Sequence, residues 1–199
     1  MKHVLKTYFV QMCNYNFMLY ALASGFAMSG LFLYVSGSAF VFREHFGLSS
    51  SMFSYLFALN SLGLVLSGMI SNFFLVRGVS SRKLLMIGMF IHTIAAAVLY
   101  LLSLKSSLSL LAYTACIAIA ISALGLVLGN ITALTMNNGG KQAGAASSVM
   151  GVLQYLLPAI TGYIVSLFVQ TIALLPLSIA ICGFLGVVLL LACRKESKA

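Results

Sequence analysis

Acidic side chains are almost missing from this chain of 199 residues: Glu44 and Glu196 are the only two. That scarcity excludes the carboxylate pairs on which hydrolases and intramembrane proteases rely for acid–base work. Metal-dependent chemistry is no better provided, because there is no H-E-x-x-H pattern and no Cys or His pair at ligand spacing. Gly139-Gly140-Lys141 faintly resembles a phosphate loop, but Gln142 stands where Ser or Thr should, and no strand precedes it. Ser147 and Ser148 lack the context of a nucleophile elbow. The chain is therefore not expected to be an enzyme, and no catalytic residue, metal ligand or cofactor is assigned.

Charge of either sign is scarce as well. Only 7% of residues are charged and 62% are hydrophobic, whereas a soluble domain carries roughly a quarter charged residues. The mean hydropathy of +1.11 agrees. The bilayer must be the solvent for most of the chain. Cysteines number four, at 13, 116, 182 and 193, and the middle two lie inside apolar runs. They read as small packing residues and not as a disulfide framework. The net charge of +9 comes from lysines and arginines dispersed between apolar runs, with no stripe or tail, so nucleic acid is not an expected partner. A secretory signal is not expected either: the first apolar run is too long, and the Ala21–Ala23 pair lies near its beginning.

Long apolar stretches are what the sequence does have. Six are long enough to span a bilayer, at 17–42, 52–76, 84–104, 108–136, 147–169 and 172–193, and none contains Asp, Glu, Lys or Arg. They leave a leader at 1–16 and a tail at 194–199. The leader either lies on the inner membrane surface as an amphipathic helix over 4–12 or is loosely ordered. Short connections make neighbouring spans antiparallel. With the N-terminus inside, Lys2, Lys6, Arg77, Arg82, Lys83, Lys141, Arg194, Lys195 and Lys198 share the cytoplasmic side, against Arg43 and Lys105 outside. This asymmetry predicts an inner-membrane protein with both termini cytoplasmic. Span 108–136 exceeds the hydrocarbon thickness, which implies frayed ends, a tilt, or a bend near Gly125 and Gly129.

Helices in lipid approach closely through small residues. Rows of them occur at Ala21, Gly25 and Ser29, at Gly63, Ser67 and Ser71, at Gly125 and Gly129, and at Ser147 and Gly151. Spans three and six are poorer in such rows. Spans one, two, four and five are thus expected to form an inner set, with three and six outside. Asn60, Asn130 and Gln154 follow the same division, and Ser36 and Ser38 lie near the outer end of span one. A buried amide costs about 4–8 kcal/mol on a water-to-cyclohexane scale if unpaired, so these residues either bridge helices or line a wet cavity. The order inner, inner, outer occurs twice, which predicts a 3+3 inverted repeat. His92, in an outer span, reads either as a packing residue or as a proton relay.

Two motifs carry a resemblance. Tyr34-Val35-Ser36-Gly37-Ser38-Ala39-Phe40-Val41, followed by Phe53, Phe57-Ala58-Leu59-Asn60 and Gly63, is similar to helices seven and eight of the Bcr/CflA drug-resistance subfamily of the major facilitator superfamily. Ala143-Gly144-Ala145-Ala146-Ser147-Ser148, continuing through Gly151 to Leu153-Gln154-Tyr155, is similar to the start of that family's eleventh helix. The resemblance covers essentially the whole chain. It implies an all-α membrane fold in which the six spans correspond to helices seven to twelve of a drug:proton antiporter. It implies as partners the bilayer, an N-terminal six-helix half in the same or a separate chain, a small amphipathic drug-like substrate, and protons.

On this reading Tyr34, Ser36, Ser38, Asn60, Asn130 and Gln154 face the substrate cavity, and Gly25, Gly63, Gly125, Gly129 and Gly151 serve helix packing. Ala39 stands where the family usually has proline, which implies a less kinked outer end. The loop from Arg77 to Lys83 lacks the family's aspartate. No span contains a carboxylate, so antiport is expected to need the other half. A self-associating half-transporter and a non-transporting scaffold are the competing readings.

Overall fold

In a computed structural model of the chain, which describes residues 8–105, 108–140 and 142–193, all regular structure is helical. Lys2, Lys6, Lys141 and the 194–199 tail lie outside the described residues, as does the 4–7 part of the expected amphipathic leader. Among the described residues, six helices are long and apolar enough to cross a membrane. They are α1 (Tyr15–Ala39), α2 (Ser50–Val76), α3 (Ser81–Ser103), α4 (Leu110–Asn138), α5 (Ala143–Ser166) and α6 (Leu174–Ala192).

Polar residues set several of the starts. The side chains of Asn14, Ser49 and Ser109 accept from the backbone N–H of Phe17, Met52 and Ala112, which satisfies donors that a helix start leaves open. The C-terminal end of α1 does not simply run straight into its loop. It widens into one π-helical turn, Phe40–His45, and Gly47 closes it with φ of +67°, a conformation natural to glycine. Helix α4 runs unbroken for 29 residues past Gly125 and Gly129. At about 1.5 Å per residue it spans roughly 44 Å, so its ends project beyond the hydrocarbon. Arg82 and Lys83, placed before span three by the sequence, lie in the first turn of α3.

Helices α1 and α4 form the centre. The first packs on α5, α6 and α4, the second on α2, α3 and α1, and α3 packs on α6. Glycines set the closest approaches. A Cβ on Gly25 would sit 2.8 Å from the backbone oxygen of Leu153 and would strike Leu157. A Cβ on Gly125 would strike the Leu64 carbonyl and the Gly68 backbone. Gly88 lies against the Ala123 carbonyl and Leu126 on α4, and Gly186 against the Ala23 carbonyl and Phe26 on α1.

The core differs from the expected inner and outer sets. Helices α3 and α6 are well covered by the rest of the chain, while α2 and α5 are the least covered of the six. On α2 only Asn60 and Ser71 are buried; Leu59, Leu62, Leu66, Met69, Ile70 and Phe73 face outward. On α2 the small and polar row Gly63, Ser67 and Ser71 meets α4 and the apolar face has no counterpart within this chain, whereas on α5 the row Ser147 and Gly151 has none.

Candidate functional site

The end of the bundle that holds the α1–α2 connection is built on aromatic rings. Phe42, just after α1, meets Tyr113 of α4 edge-on at 5.7 Å and Phe53 of α2 at 6.1 Å. Phe53 continues to Phe57, whose ring stacks on Tyr34 at 5.4 Å with 7° between planes. Such pairs contribute about 0.5–1.5 kcal/mol beyond their buried area.

At the edge of this cluster Asn60 Nδ2 donates to Tyr34 Oη at 2.8 Å, joining α2 to α1. Ser38, one turn beyond Tyr34, is fully buried. Among the described residues, Ser38 Oγ, Asn60 Oδ1 and Tyr113 Oη have no hydrogen-bond partner. A second polar bridge lies lower on α2, where Asn130 Nδ2 donates to Ser71 Oγ at 2.7 Å and to the Leu126 carbonyl at 2.8 Å.

The sequence-predicted residues therefore separate into groups. Tyr34, Ser38 and Asn60 come together in a buried interhelical bridge, and Asn130 joins Ser71 in another. Ser36 is exposed, its hydroxyl turned back onto the Phe32 carbonyl at 2.9 Å. It borders a cleft of about 300 Å³ between α1, α5 and α6, together with Gly37, Gly162, Ser166, Gln170 and Leu175. Gln154 is half-buried on α5 and does not line that cleft.

The glycines divide as well. Gly25, Gly63 and Gly125 sit in tight contacts, Gly63 against the Ser122 side chain. A Cβ at Gly129 or Gly151 would meet nothing within 4 Å, so neither closes a helix contact within this chain. Gly129 lies beside the α2–α4 crossing made by Gly125, and Gly151 one turn from the α1–α5 crossing. The four-residue spacing alone did not reveal which member of each row makes the contact.

Sequence reasoning missed two features. Arg82, read only as a loop charge, donates from Nη2 to the Cys193 carbonyl at 2.9 Å and from Nη1 to Tyr20 Oη at 3.3 Å. It places a cation on the C-terminal carbonyls of α6, where the helix dipole favours it. His92 is not peripheral. It is fully buried where α3 meets α1, α4 and α6. Its Nδ1 is 2.7 Å from the Ala120 carbonyl, and a Cβ on Gly30 would come 2.8 Å from its Nε2. The half-buried amide of Gln154 was legible by residue type; the Arg82 cap could have been found only from the loop's distance to the end of α6. Among the described residues no three His, Cys, Asp or Glu side chains converge on a possible metal site.

No family model matches the chain. It is 35% identical over 153 residues to the uncharacterized MFS-type transporter YdgK of Bacillus subtilis (strain 168), a match covering 76% of this chain and 37% of that protein. The chain thus corresponds to little more than a third of the relative's length. Six apolar membrane-length helices among the described residues, together with this similarity, make the chain a multi-pass membrane protein that is similar over three quarters of its length to an MFS-type transporter.

Proposed function

We propose that the chain is the C-terminal six-helix half of a drug:proton antiporter of the Bcr/CflA kind, acting in the bacterial inner membrane with both termini in the cytoplasm. The observation that carries this reading is the similarity to an MFS-type transporter across three quarters of the chain. The packing supports it. Exchanging α1 with α4, α2 with α5 and α3 with α6 turns the main helix pairs into one another. The same exchange carries the Gly25 contact on Leu153 and Leu157 into the Gly125 contact on Leu64 and Gly68, with an equal shift at both partners. Ala23 and Gly186 likewise correspond to Ala123 and Gly88. This correspondence favours a 3+3 inverted repeat, an organisation common in secondary transporters.

The uncovered faces of α2 and α5 fit an opposing six-helix unit, which would complete a cavity around Ser36 and Gln154. Among the described residues the one carboxylate is Glu44, in the π-helical turn at the end of the first span and not deep within it, so we assign the proton-carrying group to the other half. Co-expression with a matching N-terminal half should lower drug accumulation in cells, whereas this chain alone should not. Proton-dependent efflux by the purified chain alone would overturn the proposal. The same uncovered faces also favour a second reading, a self-associating half-transporter; a native gel and crosslinking would support it by showing a dimer, and a strictly monomeric chain would exclude it.

A further inference from the structure

The segment just before α1 is turned inside out for a solvated helix. Residues 8–12 are helical. Phe9, Val10 and Met12 are 69%, 54% and 54% exposed, yet Gln11 between them is only 4% exposed. On a helix that meets water the amide would face outward and the apolar side chains inward. Here Gln11 turns toward the protein, with its Nε2 3.5 Å from where a Cβ on Gly139 would sit, at the end of α4. The turn that follows is pinned by Asn14, whose Nδ2 donates to the Asn138 carbonyl at 2.8 Å. The segment is therefore held against the α4–α5 connection, with its apolar side chains away from the bundle.

Two further observations say what covers those side chains. They continue the uncovered surface of α1's first turn, where Tyr15 is also exposed, at a depth where tyrosine favours the membrane–water boundary. The antiparallel threading also puts the α2–α3 connection at this end, with Arg77, Arg82 and Lys83 and no acidic residue. An apolar strip beside a cationic rim matches a membrane surface with acidic headgroups.

We infer that residues 8–12 form a surface anchor, seated in the acidic leaflet beside the N-terminal ends of α1, α3 and α5, through Phe9, Val10 and Met12. The inference rests on the six-span reading. The anchor ties the leaflet to the α4–α5 connection.

The chain contains no tryptophan, so a single one reports its own position. Phe9→Trp and Val10→Trp variants of the full chain should be placed in vesicles of phosphatidylcholine with and without phosphatidylglycerol. In the acidic vesicles both should emit blue-shifted light, lose intensity to lipids brominated high in the acyl chain, and resist acrylamide several-fold better than free tryptophan. Quenching should weaken without phosphatidylglycerol or at high salt; equal quenching in both lipids would overturn the acidic-leaflet assignment. Full acrylamide access without lipid quenching would overturn the anchor in favour of a solvated segment. Protection from both quenchers would overturn it in favour of a protein partner. Ile94→Trp, on the outward face of α3, separates the two levels of the argument. It should be quenched by deep bromines whatever residues 8–12 do, and its failure would strike the six-span reading instead.

Discussion

Tyr34 and Asn60 hold a hydrogen bond across two helices whose backbones otherwise make little contact. The bond matters less for what it adds than for what its loss exposes. Interhelical hydrogen bonds in lipid average about 0.6 kcal/mol, but a buried amide left without partners costs about 1–3 kcal/mol. Asn60 Oδ1 already has none among the described residues, so Tyr34→Phe strands the whole side chain. Tyr34→Phe is expected to lower stability by about 1–3 kcal/mol in reversible denaturation in mixed detergent. Adding Asn60→Leu should recover part of that loss, giving a coupling well outside additivity. Strictly additive effects would mean that the two residues are not paired in the folded protein. Arg82 offers a parallel case at the opposite end. Arg82→Gln removes a cation from the end of α6 and should cost about 0.3–2 kcal/mol, with Arg82→Lys only a partial replacement because a compact ammonium lacks the two separated, fixed nitrogens that reach Tyr20 and Cys193.

At the scale of helices, glycine placement decides which contacts are possible. Gly25→Val and Gly125→Val would each drive a side chain into the backbone of the neighbouring helix, so both should abolish a monodisperse folded protein in gel filtration. Gly129→Ala and Gly151→Ala point into open space within the chain and should leave its thermal midpoint unchanged. The reverse ranking would show that the α1–α5 and α4–α2 crossings are wrongly assigned. The sequence showed the helices themselves well, because twenty-odd apolar residues without charge admit only a spanning helix. It showed the small-residue rows but not their working members, since Gly125 and Gly129 differ only in which way the α2 backbone passes. It misjudged α3 and α6 because a Leu- and Val-rich helix looks the same facing lipid or facing α1 and α4. The candidate site was legible as residue types. That Tyr34 reaches Asn60 while Ser36 points outward depends on rotation about the axis of α1, which composition does not carry.

For the whole molecule, the arrangement leaves α2 and α5 with apolar faces that only lipid or another helical unit can cover, because neither helix has enough contact within the chain to bury them. The same threading separates the charges into two sets, with Arg77 after α2 and Arg82 and Lys83 in the first turn of α3 at one end, and Arg43, Glu44 and Lys105 at the other. On the positive-inside rule, the half-transporter account puts the end that carries Arg77, Arg82 and Lys83 in the cytoplasm. The half-transporter account depends on that threading before it depends on any single side chain. Cysteine labelling in intact cells tests it most directly, in a background lacking the four native cysteines. Glu44→Cys should react with a membrane-impermeant maleimide from outside. Ser80→Cys, exposed and without a capping bond, should react only after the membrane is opened. Labelling of Ser80→Cys in sealed cells, or of both positions from the same side, would contradict the account.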